Sequence, residues 1–386
     1  MTHPRTYPLR QSPLYRLSSK KRLALLLGIG VPELKLLCDL QDSNFRRWEL
    51  GRRERDKLID AAGKPKKRKI QQPKSVLQSV HKRIALLLGR IEKPDFVYSA
   101  TKRRSYLDNA IRHQTDQACV KVDVKDFYSS VKFRRVRRFF LEQLECAEDV
   151  ANLLARLCCV DGALPTGSAV SPVLSYFACA PMFAEIESLA RRRGLIFTLY
   201  VDDMVFSGEC ANKCFAQTVC LLLQERGFVG HKVTHYRAGT VKVVTGVAVR
   251  AGFLDLPFAR KRRIRRTEEA FLVRANRKTE EAGSERTNRE ELRILGRTLI
   301  GQYREAERIS PGIKVKAAPI EAELTRRGLG AGHGGHGVSR KRSVRSKPSA
   351  KVFDELRAQR AKARAKRVGS LAAKAALPLD SLSCSA

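Results

Sequence analysis

Two short acidic strings constrain this chain more than anything else in it. In LYVDDMVFSG (residues 199–208) two adjacent aspartates interrupt an apolar run, and in VKVDVKDFYSSV (residues 120–131) Asp123 interrupts another. The apolar flanks of Asp202 and Asp203, from Phe197 to Ser207, predict a strand-turn-strand hairpin. Cys119 to Val131 predicts a strand that opens into a turn. Neighbouring carboxylates at a half-buried turn repel, and burial raises their pKa unless a cation sits there. A divalent metal is the usual reason to tolerate that cost. Mg²⁺ takes oxygen ligands, keeps several waters and draws the rest of its shell from substrate phosphates. With Asp123 as a third carboxylate, the expected site holds two ions about 3.5–4 Å apart. Such a pair serves phosphoryl transfer: one ion activates an attacking hydroxyl, the other stabilises the leaving pyrophosphate.

Charge names the partner class. The 386 residues carry 76 Lys and Arg against 39 Asp and Glu, a net charge of +37. That excess repels itself unless a polyanion offsets it, so nucleic acid is the expected partner. A 43% hydrophobic content supports a folded protein of two or three domains. No run reaches the roughly 20 apolar residues of a membrane span, so no membrane partner is expected. Lys20, Lys21 and Arg22 before the apolar run Leu23–Val31 imitate a signal peptide, but Glu33, Leu34, Leu36 and Leu37 continue it as an amphipathic helix. The ten cysteines lie mostly in apolar runs, which fits buried thiols in a reducing cytoplasm. Cys210, Cys214 and Cys220 have no CxxC spacing or nearby histidine to complete a zinc set.

The spacing predicts an N-terminal helical segment over 1–60, with Arg46, Arg47 and Trp48 near a turn. A turn and a short basic strand follow over Gly63–Pro73, then a helix over Ser75–Ile91. Residues 132–160 and Ser171–Leu189 read as helices, Val241–Val249 as a strand, and 258–309 as a charged helical region. Gly328–Gly337 reads as a linker in which His333 and His336 are spacers. Residues 311–386 hold 17 Lys and Arg against 5 Asp and Glu, a basic arm.

Taken in order, the motifs resemble those of reverse transcriptases. VDVKDFY at Val122–Tyr128 is similar to motif A, LPTGSAVSP at Leu164–Pro172 to motif B, and YVDD at Tyr200–Asp203 to motif C. Finer strings resemble the retron reverse transcriptases of bacteria. Asn109, Ala110 and His113 in NAIRH match their NAxxH box, Val244, Thr245 and Gly246 their VTG triplet, and RKIQQP from Arg68 and ISPG from Ile309 look alike too. The resemblance covers about residues 20–312.

It implies an α+β right-hand polymerase: fingers and palm over 61–250, a helical thumb over 251–312, and a basic, flexible tail over 313–386. It implies RNA-templated DNA synthesis from deoxynucleoside triphosphates with Mg²⁺. Asp123, Asp202 and Asp203 would be catalytic and metal-holding, with the Val124 carbonyl as a further ligand. Asp126, Phe127 and Tyr128 would form the nucleotide-binding turn, the Tyr128 ring colliding with a ribose 2′-OH. Arg68 would neutralise the triphosphate, with Lys67 and Lys69 as competitors. Thr166 and Gly167 would approach the nascent base pair. Asn109 and His113 either bind structured RNA or brace the palm. Val244, Thr245 and Gly246 either recognise the cognate noncoding RNA or pack a sheet. Motif D departs from the family: in GFVGHKVTHY, Val233 precedes Thr234, so Lys232, His231 and His235 compete as proton donor. The resemblance further implies a branched RNA–DNA product and anti-phage defence with a separate effector. Two alternatives stay open, a group II intron-type reverse transcriptase and a noncatalytic RNA-binding scaffold.

Overall fold

The chain is described by a computed structural model over residues 6–50, 68–276 and 282–329. Helix α1 spans Lys20–Leu27; Ser19 Oγ accepts from the Arg22 N–H and Gly28 ends the helix at φ 74°. Helix α2, Val31–Leu40, then begins afresh, so one expected amphipathic helix is two. Phe45–Leu50 forms strand β1 where a turn is expected, and it pairs antiparallel with β2, Arg68–Pro73, Trp48 opposite Ile70. Pro73 can end β2 because the last position need not donate to a ladder. Helix α3, Ser75–Leu88, buries a stripe of Leu77, His81, Ile84 and Leu88. Helix α4, Tyr106–Ile111, opens with a capping box between Ser105 and Asp108.

Strand β3 covers Cys119–Val124, and α5 covers Phe127–Ser130. The helix expected over 132–160 is interrupted: α6, Phe133–Arg138, widens into a π turn at Phe139–Gln143, and α7 resumes at Glu148–Cys158. The adjacent Phe139 and Phe140 are both fully buried with ring centroids 5.1 Å apart, and the wider turn admits both. Helix α8, Ser171–Arg192, is long and apolar enough to cross a membrane by composition, contrary to expectation, yet most of it is buried as a core helix. Strands β4 (Ile196–Tyr200) and β5 (Asp203–Ser207) form the expected hairpin. Helix α9 (Lys213–Glu225) and strand β6 (Gly230–Tyr236) follow.

The single strand expected over Val241–Val249 is a hairpin, β7 (Lys242–Val244) and β8 (Val247–Arg250), extended by β9 (Phe253–Asp255). Thr245 and Gly246 turn it with φ of 45° and 80°, the left-handed pair a two-residue hairpin needs. Helices α10 (Phe258–Ala275), α11 (Ala282–Ala306) and α12 (Ala317–Arg326) complete the described chain. The flexible tail expected from residue 313 is corrected here, because Ala317, Ile320 and Leu324 bury themselves in a core with Phe271, Leu292 and Leu299. The remainder of that arm, with His333 and His336, lies outside the described residues, as do residues 51–67.

Backbone contacts group the chain into two compact units. The first runs to Glu92 and includes Asp126–Cys179, holding the β1–β2 ribbon, α3 and α5–α7. The second holds Lys93–Lys125 and continues from Ala180. Its centre is an antiparallel sheet ordered β4-β5-β3-β6, so the two acidic strings lie on its two inner strands. The mixture of helices and antiparallel sheet is the expected α+β class.

Candidate active site

The acids meet at one end of the inner strands. Asp123 on β3 and Asp203 on β5 are register partners, and Asp202 lies in the two-residue turn before Asp203. Val201, the first residue of that turn, takes φ 63°, a strained conformation for a β-branched residue. Its N–H donates to Ser99 Oγ at 2.9 Å, which helps hold the strained turn. The Val124 N–H donates to the Asp202 carbonyl at 3.3 Å and ties the turn to β3.

Each register-paired carboxylate has a cationic neighbour. Lys232 Nζ donates to Asp123 Oδ2 at 3.0 Å, and Lys121 Nζ lies 3.3 Å from Asp203 Oδ2. His231 Nδ1 is 3.3 Å from the Asp123 carbonyl oxygen and 3.6 Å from its Oδ2. Burial pushes the Asp203 carboxyl above the usual carboxylate range; Lys121 opposes the shift and the Asp123 charge adds to it. Among the described residues no three His, Cys, Asp or Glu side chains converge into a metal-holding group. The donors present are hard oxygens, Asp123, Asp202, Asp203 and the Val124 carbonyl, on neighbouring backbone positions. Their partly buried, mutually repelling charge suits a hard cation such as Mg²⁺, which needs few protein ligands.

A bulge decides which motif D residue reaches the acids. Lys121 pairs with Thr234 on β6 but Asp123 pairs with His231, so the register shifts between them. Lys232, inside the shift, takes φ 49°. Its side chain arrives at Asp123 although it stands one place earlier than the family spacing, whereas His235 pairs with Val120 farther along. Residue spacing alone could not reveal a bulge.

The nucleotide-turn residues belong to the first unit. Asp126 takes φ 48°, and its carbonyl accepts from the hydroxyls of Ser129 and Ser130. Phe127 is buried and Tyr128 half-buried, their ring centroids 6.0 Å apart. The motif B loop is fastened to β2: Thr166 Oγ1 donates to the Lys69 carbonyl at 2.8 Å and accepts from the Gln71 N–H at 3.3 Å. The Gly167 N–H donates to the Gln71 carbonyl at 3.1 Å. Arg68 is the first residue of that strand, and Lys67 lies outside the described residues.

His81, which the sequence reading overlooked, supports this loop. Its Nε2 donates to the Leu157 carbonyl at 2.7 Å, which leaves Nδ1 to accept from the Ser168 hydroxyl at 2.6 Å. Burial lowers its pKa to about 4. The signal was its place on the apolar stripe of α3.

The NAIRH and VTG strings meet each other. Asn109 Nδ2 lies 3.5 Å from Thr245 Oγ1, which donates to the Tyr106 carbonyl at 2.6 Å. His113 stands between Ser207 Oγ and Thr198 Oγ1, 2.7 Å from each, its pKa lowered to about 3 by burial, then by the charge of Lys242. Lys242 is itself buried, its ammonium capping the carbonyls of His113 and Thr115. Asn109, His113 and Val244 are fully buried, which agrees with the packing alternative and leaves these three side chains no exposed surface for direct RNA contact. Thr245 is half-buried and Gly246 exposed.

No protein-family model matches the chain. It is 27% identical over 346 residues to the retron Mx162 reverse transcriptase of Myxococcus xanthus, covering 77% of this chain and 69% of that protein. It is 26% identical over 209 residues to the retron Ec86 reverse transcriptase of Escherichia coli, covering 54% of this chain and 62% of that one. The retron Ec48 reverse transcriptase of the same organism is 27% identical over 213 residues, 52% of this chain and 50% of that protein. Among solved structures, a foamy viral protease-reverse transcriptase in complex with double-stranded DNA aligns at TM-score 0.39 and 12% identity, covering 73% of this chain and 39% of that one. The chain is thus similar in sequence to several bacterial retron reverse transcriptases, and it spans between half and about two thirds of the length of those relatives.

Proposed function

We propose that this protein copies its own structured noncoding RNA into DNA, starting from a 2′-OH within that RNA and giving a branched RNA–DNA product. The observation that carries the reading is the meeting of Asp123 and Asp203 across adjacent inner strands, with Asp202 in the connecting turn. A scaffold protein would have no reason to keep that repulsion.

Asp123, Asp202 and Asp203, with the Val124 carbonyl, would hold Mg²⁺. A cation held by these residues would supply Lewis-acid chemistry, acidifying the attacking hydroxyl and offsetting charge on the leaving pyrophosphate. The chain's own groups do the rest. Val201 and the Val124–Asp202 hydrogen bond keep the turn rigid, so the carboxylates need little reorganisation during the reaction. Lys232 holds a proton at Nζ beside Asp123 and is the best-placed motif D residue to deliver it to pyrophosphate. The Tyr128 ring excludes a ribose 2′-OH, and Thr166 and Gly167 carry the incoming base pair from a loop fixed on β2. Anti-phage defence, with a separate effector protein, is the biological role this chemistry would serve.

The test is the nucleic acid that copurifies with wild type and with Asp202→Asn. Wild type should carry DNA joined to a short RNA, and the variant only the RNA. DNA on both proteins, or on neither, would remove the reading.

A further inference from the structure

The hairpin that presents Asp202 and Asp203 is braced from outside its own strands. Strand β4 stands at one edge of the sheet, and the segment 96–99 runs along that edge as a strap. The Leu199 N–H donates to the Phe96 carbonyl at 2.7 Å, the Tyr98 N–H donates to the Leu199 carbonyl at 2.9 Å, and Val97 bridges Leu199 in parallel. Val97, Tyr98 and Ser99 are buried there. The strap ends on the strained residue of the turn, because Ser99 Oγ accepts the Val201 N–H.

Arg104 locks the strap in turn. Its Nη1 donates to the carbonyls of Pro94 at 2.7 Å, Asp95 at 3.0 Å and Val97 at 2.9 Å, and its Nη2 to Asp95 Oδ1 at 2.6 Å. The same guanidinium lies 5.6 Å from the centre of the Tyr98 ring. A lysine, as a point charge on a flexible stem, cannot span that set of partners.

We propose that Ser99 and Arg104 are positioning residues for the catalytic aspartates: Arg104 fixes the strap against β4, and the Ser99 hydroxyl uses the fixed strap to keep Val201 in the left-handed turn that presents Asp202. The inference rests on the polymerase reading above and assigns two further residues to it, neither of which touches the reacting atoms.

Strain and geometry argue for it. A β-branched residue at positive φ returns to negative φ unless its surroundings hold it. The turn is held from two sides, by the Val124 N–H on the Asp202 carbonyl and by Ser99 on the Val201 N–H. Releasing the second lets Val201 rotate and takes the Asp202 carboxylate with it, while Asp203 stays paired in β5. A displacement of about 1 Å at a reacting group costs on the order of a hundredfold in rate.

The measurement is steady-state addition of one deoxynucleotide to a primer on an RNA template by the full-length protein, with rates counted per folded molecule. Ser99→Ala should lower kcat at least about tenfold while the nucleotide KM changes less than about threefold, the split expected of lost orientation rather than lost binding. In a Val201→Asn background, where the left-handed turn is tolerated without help, the same Ser99→Ala change should cost about threefold or less. Arg104→Met should lower kcat in wild type but add little to Ser99→Ala, since both act through one path; Arg104→Lys should not restore it. Arg104 is at the surface of the strap, so its variants serve where Ser99→Ala does not fold. A wild-type kcat in Ser99→Ala, or the same loss in both backgrounds, would overturn the positioning role and leave the polymerase reading intact. Equal extension by wild type and Asp202→Asn would sink that reading, and this proposal with it.

Discussion

The carbonyl oxygen of Gln71 lies 2.9 Å from where a Cβ on Gly167 would stand, closer than side-chain carbons come to backbone oxygens. The same carbonyl accepts the Gly167 N–H, so the motif B loop and β2 touch with no room for a methyl group. Gly167→Ala must push the two backbones apart, at about 1–3 kcal/mol for overpacking. Urea unfolding should show that loss, and primer extension should fall with it; an alanine variant as stable and active as wild type would mean the loop is not held this tightly.

Acid should destabilise the fold through its two buried histidines. Both are held neutral, His81 at about 4 and His113 at about 3, against an ordinary 6.5. Because the folded values are lowered, the unfolded chain binds these protons first. Stability therefore falls as pH drops below about 6.5, and the loss saturates near pH 4 for His81 and pH 3 for His113. Between pH 7 and pH 5 the cost is about 2 kcal/mol per histidine. Urea midpoints at the two pH values should separate accordingly in wild type and less in His113→Gln; equal separations would contradict the buried, neutral assignment.

Asn109 and Thr245 should matter for stability rather than for direct RNA contact. Thr245→Val removes the bond to the Tyr106 carbonyl, worth about 1 kcal/mol. Asn109→Ala leaves Thr245 without its amide neighbour. Both variants should unfold at lower urea, while the salt slope of RNA binding, which counts phosphate contacts, stays unchanged. A shallower slope in Asn109→Ala would return that residue to the RNA interface.

The sequence carried the hairpin of Phe197–Ser207, the strand at Cys119–Val124 and helix α3, because their apolar patterns survive into single, regular elements. It also singled out the three aspartates as candidates, since carboxylates inside apolar runs are costly enough to stand out, and the structure sets Asp123 and Asp203 in register. What it missed depends on distant partners. Phe45–Leu50 is a strand only because Arg68–Pro73 pairs with it, and the burial of Asn109 and His113 reflects Thr245, Ser207 and Thr198 far along the chain. The bulge that brings Lys232 to Asp123 arises from pairing between β3 and β6, which spacing does not encode.

Sugar discrimination should rest on Tyr128. Its ring is half-buried beside Phe127 rather than sealed in the core, leaving it surface to meet a substrate. Tyr128→Ala should raise ribonucleotide incorporation relative to deoxynucleotide by at least about tenfold, the scale of one lost steric contact. An unchanged ratio would reduce Tyr128 to packing.

The most direct measurement is single-nucleotide primer extension on an RNA template, wild type against Asp123→Asn, both confirmed folded by circular dichroism. Wild type should add deoxynucleotides in the presence of Mg²⁺, and Asp123→Asn should fall at least about a thousandfold, as expected when a group central to transition-state charge is neutralised. Equal extension by the two proteins would contradict the account at its centre.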